Sequence, residues 1–409
     1  MAETQVIQVR CCIAGGGPAG MMLGFLLARA GVDVVVLEKH ADFLRDFRGD
    51  TIHPSTLELM YELGLLDEFL KLPHQEVVEL TGRIGDSEVI VGDFSRLPTH
   101  CKFLAFMPQW DFLDFLAAHG KRYPAFQLKM ETVVTGLIEE GSQIRGLRAQ
   151  SPDGPLEIRA NLVVGADGRQ SIVRQIAGLQ VEDLGAPMDV LWMGVSKLPS
   201  DPHQVIGRFD RGMIMVMLDR GDYWQCGYVI PKGGFAEIQQ KGLDQLRANI
   251  AEMAPFLRGR LNELREWSDI KLLTVKVDRL RKWWRPGLLC IGDAAHAMSP
   301  IGGVGINLAI QDAVAAANIL SGPLRDDCLT SACLERVQKR REFPARLTQS
   351  AQVFLQKRVI VRVLGSDEPV SAPWPLRLLK RWKFLRGIPA RLIGVGVRPE
   401  HVQTEERQR

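Results

Sequence analysis

The sequence predicts an α/β protein: a Rossmann-like unit at the start, an inserted antiparallel sheet, and a helical C-terminal segment. Three observations carry this. Gly15-Gly16-Gly17-Pro18-Ala19-Gly20 stands between two apolar strand patterns, short strand-like pieces crowd residues 179 to 273, and a basic amphipathic run follows Gly365.

With 409 residues, 46% of them hydrophobic, the chain can bury a large core, and its length suggests two or three folding units. Lys+Arg total 51 against Asp+Glu 48, a net charge of only +3, so no basic field points to nucleic acid as a partner. Seven scattered cysteines, an odd number, form no disulfide framework, and no Cys/His spacing reads as a zinc site. The opening MAETQVIQVR lacks the basic start and apolar stretch of a signal peptide, and no run approaches the ~20 apolar residues of a membrane span. The expectation is a cytoplasmic protein that is not integral to a membrane.

Residues 7 to 14 mix β-branched and small apolar residues, meet the glycine turn, and pass into a helical pattern through Ala30. Val32 to Leu37 then form a second buried strand ending at Glu38, eighteen residues beyond Gly20. Order and spacing match the dinucleotide fingerprint. Gly15 permits the tight turn, Gly17 lets backbone approach a pyrophosphate, Gly20 lets helix and strand pack closely, and the helix N-terminus offers free amides to the anion. Glu38 would accept hydrogen bonds from a ribose diol, which favours an unphosphorylated adenosine ribose. The fingerprint alone leaves FAD and NAD both open.

Two later motifs choose FAD. LVVGADGRQSIVR at 162–174 is an apolar strand running into Ala166-Asp167-Gly168 and a helix start containing Ser171 and Arg174. LLCIGDAAHAMSPIGGVGINLAIQDA at 288–313 is a strand ending at Gly292-Asp293, a Pro- and Gly-rich loop, and a helix beginning near Gly305-Ile306-Asn307. Asp293 can accept from a ribityl hydroxyl, and the amides opening that helix can stabilise negative charge on a reduced isoalloxazine ring.

Taken in order, GGGPAG, GADG and IGDAAHAMSPIGGVGIN resemble the para-hydroxybenzoate hydroxylase-like, class A single-component family of FAD-dependent monooxygenases, over roughly residues 8 to 350. The resemblance implies a glutathione-reductase-type FAD-binding domain, discontinuous over 1–80, 105–178 and 274–365. A substrate-binding domain over 81–104 and 179–273 would cover the flavin, and 366–409 would form a basic amphipathic C-terminal segment. Carried over residue by residue, Gly15, Gly17, Pro18, Ala19 and Gly20 would line the pyrophosphate, with Glu38 and Lys39 at the adenosine ribose. Arg48 and Gln109 would contact FAD, Asp167 would support the pyrophosphate region, and Asp293 the ribityl chain. Pro300, Gly303, Gly305, Ile306 and Asn307 would border the ring. Where the family's last glycine loop commonly reads GQGxN, this chain has Gly303-Val304-Gly305-Ile306-Asn307. Contacts of the missing Gln do not carry over.

The resemblance also implies the chemistry. NADH or NADPH docks transiently and reduces FAD, O2 binds the reduced ring as a C4a-hydroperoxide, and the distal oxygen passes to an aromatic or lipophilic small molecule. No metal is implied. His53 follows Arg48 in a segment the family places beside the ring, so it is a candidate base near neutral pH. It suits better still a histidine capping or filling the turn before the helix that starts at Pro54. His296 suits loop support better than acid-base work. Tyr223, Trp224 and Tyr228 either line a substrate pocket or sit in the core.

The pieces MDVLWMGVSKL, HQVIGRFD, GMIMVML and YWQCGYVI read as an antiparallel sheet, followed by a helical stretch at Leu243 to Met253. Met213, Met215 and Met217 would give either an adaptable apolar substrate face or a plain core-facing strand. Between Glu368 and Glu400 no residue is acidic, while Arg377, Lys380, Arg381, Lys383, Arg386, Arg391 and Arg398 are basic. Leu378, Leu379, Trp382 and Leu385 share one helical face, so 374–392 would either seat peripherally on the inner membrane surface or pack on the enzyme body.

Two rival functions are a prenyl reductase resembling geranylgeranyl reductases, suggested by Tyr223 to Lys232, and a non-catalytic lipid-binding carrier resembling GDP-dissociation inhibitors. A flavin halogenase would need a paired-Trp WxWxIP motif that is not intact here.

Overall fold

The computed structural model describes residues 4–44, 51–85, 87–202, 206–366, 368 and 374–407, without the side chains of Ile206, Trp374, Pro375 and Arg377. Its central sheet runs in the order Leu288–Cys290, Gly154–Gly165, Gln5–Ala14, Val34–Leu37, Phe126–Lys129, all parallel. Trp284–Arg285 closes one edge antiparallel. The hairpin Val133–Glu140 and Gln143–Ser151 joins the first half of Gly154–Gly165. Val34–Leu37 is buried along its whole length, as a strand covered on both faces must be.

Glycine sets how closely the first helix, Pro18–Arg29, approaches this sheet. A methyl on Gly24 would lie 2.6 Å from Val36 Cγ2, and one on Gly20 only 1.9 Å from the Gly15 carbonyl oxygen. The helix Gly305–Arg325 packs in the same apolar core and is buried along most of its length. Its extended span Ile301–Arg325 is long and apolar enough to cross a membrane, but 72% of its most apolar window is buried within the protein.

A second, seven-stranded sheet runs in the order Lys271–Leu273, Met188–Ser196, Tyr223–Pro231, Met213–Asp219, Ile206–Asp210, Glu79–Ile84, Ser87–Asp93. Every pairing is antiparallel except Ile206–Asp210 with Glu79–Ile84. Period-two alternation divides its side chains between two clusters. Leu191, Met193, Met215, Met217, Trp224, Cys226 and Tyr228 face an outer layer that includes the helix Leu243–Met253. Val190, Ile214 and Val229 face the other way, into a cluster against which Trp192, Phe209 and Ile301 pack. Met213, Met215 and Met217 are therefore on the outer core face and not on the face that meets the loop containing Ile301. Trp224 is fully buried there, its indole N–H donating to Asp201 at 2.9 Å.

The C-terminal segment departs from the single amphipathic helix expected. Helix Trp374–Arg381 stops, Trp382 takes an extended conformation, a 3-10 turn covers Lys383–Arg386, and helix Gly387–Gly394 follows. Arg386 explains the break: its Nε folds back to donate to the Leu379 carbonyl at 2.9 Å, satisfying the last turn of the preceding helix. Beyond Gly394 the chain runs as a strap along the core helix to Arg407, whose amide donates to the Arg29 carbonyl.

Candidate FAD site

Sheet register assembles the three motifs. Leu37, Ala14, Gly165 and Cys290 fall in one row at the carboxyl ends of adjacent parallel strands. The glycine turn, Glu38, Asp167 and Asp293 all follow that row directly, at the edge where open α/β sheets bind ligands. Side chains from separate strands thus line one crevice.

In the glycine turn, Gly15 has φ of +108°, and a methyl there would meet the Ala166 carbonyl oxygen at 2.4 Å. Gly17 has open space where its Cβ would be, with nothing within 4 Å. That space precedes the first turn of the helix, where Pro18 is N1 and no side chain caps the free amides. Ala19 lies against Gly292, so the fingerprint touches the third motif. Glu38 is buried and accepts from the Gly16 amide at 3.0 Å and the His40 amide at 3.1 Å. Lys39 beside it is exposed.

Asp167 accepts from the Val173 amide at 3.1 Å through Oδ2, while its Oδ1 is buried with no hydrogen-bond partner. Arg169 reaches Asp293 at 3.5 Å, and its other terminal nitrogen, Nη1, is buried and unpartnered. Arg174 forms a buried bidentate pair with Asp278, both bonds 3.1 Å, and donates to the Arg169 and Ala294 carbonyls. It therefore binds the second motif to the third. Asp293 stays partly exposed at the crevice.

In the glycine loop, Gly302 and Gly303 have φ of +78° and +63°. Pro300 and Ile306 are partly exposed, and helix Gly305–Arg325 starts with no side-chain cap, leaving the amides of its first turn open. Asn307 is buried, its Oδ1 accepting from Ser55 at 2.6 Å and Thr56 at 3.2 Å. Its side chain locks two helices together. Gln109 opens helix Gln109–Gly120, partly exposed. The strand before it pairs with Thr51–Ile52, and a methyl on Gly303 would lie 3.2 Å from Thr51 Oγ1. Arg48 lies outside the described residues.

His53 is fully buried. Its Nδ1 lies 2.7 Å from the Ile393 carbonyl and its Nε2 3.1 Å from the Gly303 carbonyl. Burial holds its pKa below the usual histidine value, against the opposing pull of these two carbonyls. Both ring nitrogens face backbone oxygens.

Several residues that hold the site escaped sequence reasoning. Asp312 accepts from the Gly292 amide at 3.0 Å and contacts His296 Nε2 at 2.5 Å. Gln352 accepts from the Ser299 amide and donates to the Ser299 and Ile301 carbonyls. Gln349 donates to the Asp278 and Ala297 carbonyls, and Gln356 to Ser299 Oγ. These glutamines fall at helical spacing along Ser331–Leu355 and its π-helical continuation Gln356–Ile360. They satisfy the polar backbone of a buried loop. The signals were visible: an ionisable residue inside the apolar run LAIQDAVAAA, and three glutamines three and four residues apart.

The crevice suits FAD. It offers open space at Gly17, an orphaned carboxylate oxygen on Asp167, an unpartnered guanidinium nitrogen on Arg169, and two uncapped helix starts facing one sheet edge. The FAD binding domain family matches residues 8–351. The chain belongs to this family. Within it, 6-methylpretetramide 4-monooxygenase of Streptomyces rimosus is 34% identical over 88% of this chain and 87% of its own length. Rifampicin monooxygenase of Streptomyces venezuelae is 30% identical over 74% of this chain, which spans only 61% of that enzyme. Pseudomonas aeruginosa PqsL in complex with 2-aminobenzoylacetate superposes with a TM-score of 0.74 at 23% identity, covering 88% of this chain and 99% of PqsL. That likeness speaks for the fold. The expected α/β FAD-binding fold of the para-hydroxybenzoate hydroxylase type stands. So does the expected class: an FAD-dependent monooxygenase with NAD(P)H as the reductant typical of its family.

Proposed function

We propose that this enzyme hydroxylates a polycyclic aromatic of the polyketide type. The observation that carries the reading is the 34% identity to 6-methylpretetramide 4-monooxygenase over nearly the full length of both chains.

The chain's residues divide the work. Amides of the glycine turn hold the pyrophosphate, Glu38 takes the adenosine ribose, and Asp293 takes a ribityl hydroxyl. Bound FAD supplies electron transfer from the nicotinamide cofactor and activation of O2. The open amides at Gly305 to Asn307 stabilise negative charge at the ring end of the crevice. His53 positions the loop and carries no proton to substrate, because both ring nitrogens are held against backbone carbonyls. Incubating the FAD-loaded enzyme with NAD(P)H and a panel of polycyclic phenols tests the reading. A product heavier by one oxygen supports it, and turnover confined to single-ring phenols would overturn the polycyclic assignment.

We further infer that the enzyme is cytoplasmic and seats peripherally on an anionic membrane through 374–392. Trp382, Phe384, Ile388 and Leu392 are all exposed, and Trp382 stacks on Phe384. Lys380, Arg381, Lys383 and Arg391 surround them with no acidic residue between Glu368 and Glu400. Leu376 and Ala390 pack inward, so the helices are anchored while this face stays open. Co-sedimentation with vesicles of phosphatidylglycerol and phosphatidylcholine is expected to fall when Phe384 and Ile388 are changed to Glu. No sedimentation of the parent protein at low salt would refute the seat.

A further inference from the structure

The flavin loop from Gly292 to Gly305 is fixed near both ends by the C-terminal strap, through two separate relays. Near the ring end, His53 stands between the Gly303 and Ile393 carbonyls, at 3.1 and 2.7 Å. At the strand end, Asp312 accepts from the Gly292 amide at 3.0 Å and from Arg341 Nε at 3.0 Å. Arg341 donates in turn to the Arg398 carbonyl and to Glu400, both at 3.2 Å. Arg340 braces Glu400 at 2.7 Å, and Gln311 accepts the Glu400 amide. Asp312, Arg341 and Glu400 are all buried, so each charge depends on its partner and none can be withdrawn freely.

We propose that residues 393–407, the end of helix Gly387–Gly394 and the strap that follows it, are a working part of the FAD site. His53 and Glu400 are positioning residues that set where the flavin loop presents its amides. The strap touches neither the glycine turn at 15–20 nor Asp167 among the contacts described. It is tied down further along by Glu62, which accepts from the Val402 amide at 2.8 Å, and by Asn318, which accepts from the Gln403 amide at 2.9 Å. Those outer ties hold the strap without reaching the loop, and they provide an internal control.

Energetic coupling between two sites is reciprocal, so if the strap orders the loop for FAD, FAD must order the strap. Hydrogen exchange of the unmodified protein, apo and FAD-loaded, reads this directly. The Glu400 amide is expected to exchange roughly tenfold more slowly with FAD bound, while the Val402 and Gln403 amides, held by the outer ties, are expected to change little. Protection of the glycine turn with no change at 398–407 would overturn the proposal. Flavin fluorescence titration of Glu400→Gln gives the independent arm. FAD affinity is expected to fall about tenfold, Glu62→Gln is expected to bind FAD as the parent does, and Glu400→Asp to recover part of the loss. Equal FAD affinity in Glu400→Gln and the parent, alongside a lowered melting temperature, would make the strap a stabiliser only. Neither arm uses an aromatic substrate, so the result is independent of the hydroxylation reading.

Discussion

Arg341 donates its Nε to Asp312 Oδ1 at 3.0 Å where both side chains are at most 1% exposed. A carboxylate this deep survives as an ion only because His296 and Arg341 together outweigh the cost of burial, holding its pKa below the usual range. Removing it leaves the Arg341 Nε and the Gly292 amide without this acceptor and Arg341 with Glu400 as its remaining carboxylate. Asp312→Ala is expected to lower unfolding free energy by about 3 to 5 kcal/mol. Urea denaturation at neutral pH checks this, and a loss under about 1 kcal/mol would show that Glu400 alone satisfies Arg341.

Acid sensitivity follows from sign. His53 and His119 both titrate below the normal histidine value, burial being the main cause in each, with Arg122 adding to it for His119. The unfolded chain therefore takes up protons first, so their contribution is complete above about pH 6.5 and is lost as pH falls below it. Asp312, also depressed, contributes fully above about pH 4 and fails only below that. Melting temperature is expected to drop between pH 7 and pH 5, with a shallower drop in His53→Gln. An unchanged slope in that variant would contradict the burial of a neutral His53.

The glycine turn separates folding from binding. Gly20→Ala drives a methyl into the Gly15 carbonyl oxygen and should destabilise the apoprotein itself. Gly17→Ala meets nothing and should melt like the parent, yet its methyl occupies the approach to the pyrophosphate. An FAD affinity at least roughly tenfold weaker at unchanged apoprotein stability is the expected pair of results. Parent-like FAD binding in Gly17→Ala would move the pyrophosphate elsewhere.

Gln352→Leu leaves the Ser299 amide and the Ser299 and Ile301 carbonyls without this partner. The expected cost is roughly 2 to 4 kcal/mol. A loosened loop should also admit water beside the ring, so NAD(P)H consumption should outrun product and hydrogen peroxide should accumulate. Stability loss with full coupling would confine Gln352 to structure.

What the sequence could reveal was local. GGGPAG, GADG and IGDAAH declare themselves because glycine at fixed offsets after an apolar strand has few other uses, and the sheet register then brings them to one edge. The relays through Asp312, Arg341 and Glu400 span about 30 to 60 residues and leave no periodic trace. His53 illustrates the limit: its type and neighbourhood suit a base, but only the fold shows both nitrogens turned toward backbone carbonyls. The methionines at 213, 215 and 217 were legible as a face, but not as which face, since strand alternation is blind to what lies on either side. The C-terminal run was legible as basic and amphipathic, while Arg386 turning back to cap Leu379 broke the helix that its spacing implied.

Oxygen transfer from O2 to a polycyclic aromatic is read by single turnover of FAD-loaded protein with NAD(P)H, a polycyclic phenol and isotopically labelled O2. A product carrying one labelled oxygen atom, with the label absent when it is supplied in water, is the predicted result. A protein that retains FAD and oxidises NAD(P)H, yet puts label from O2 into no aromatic product, would contradict it.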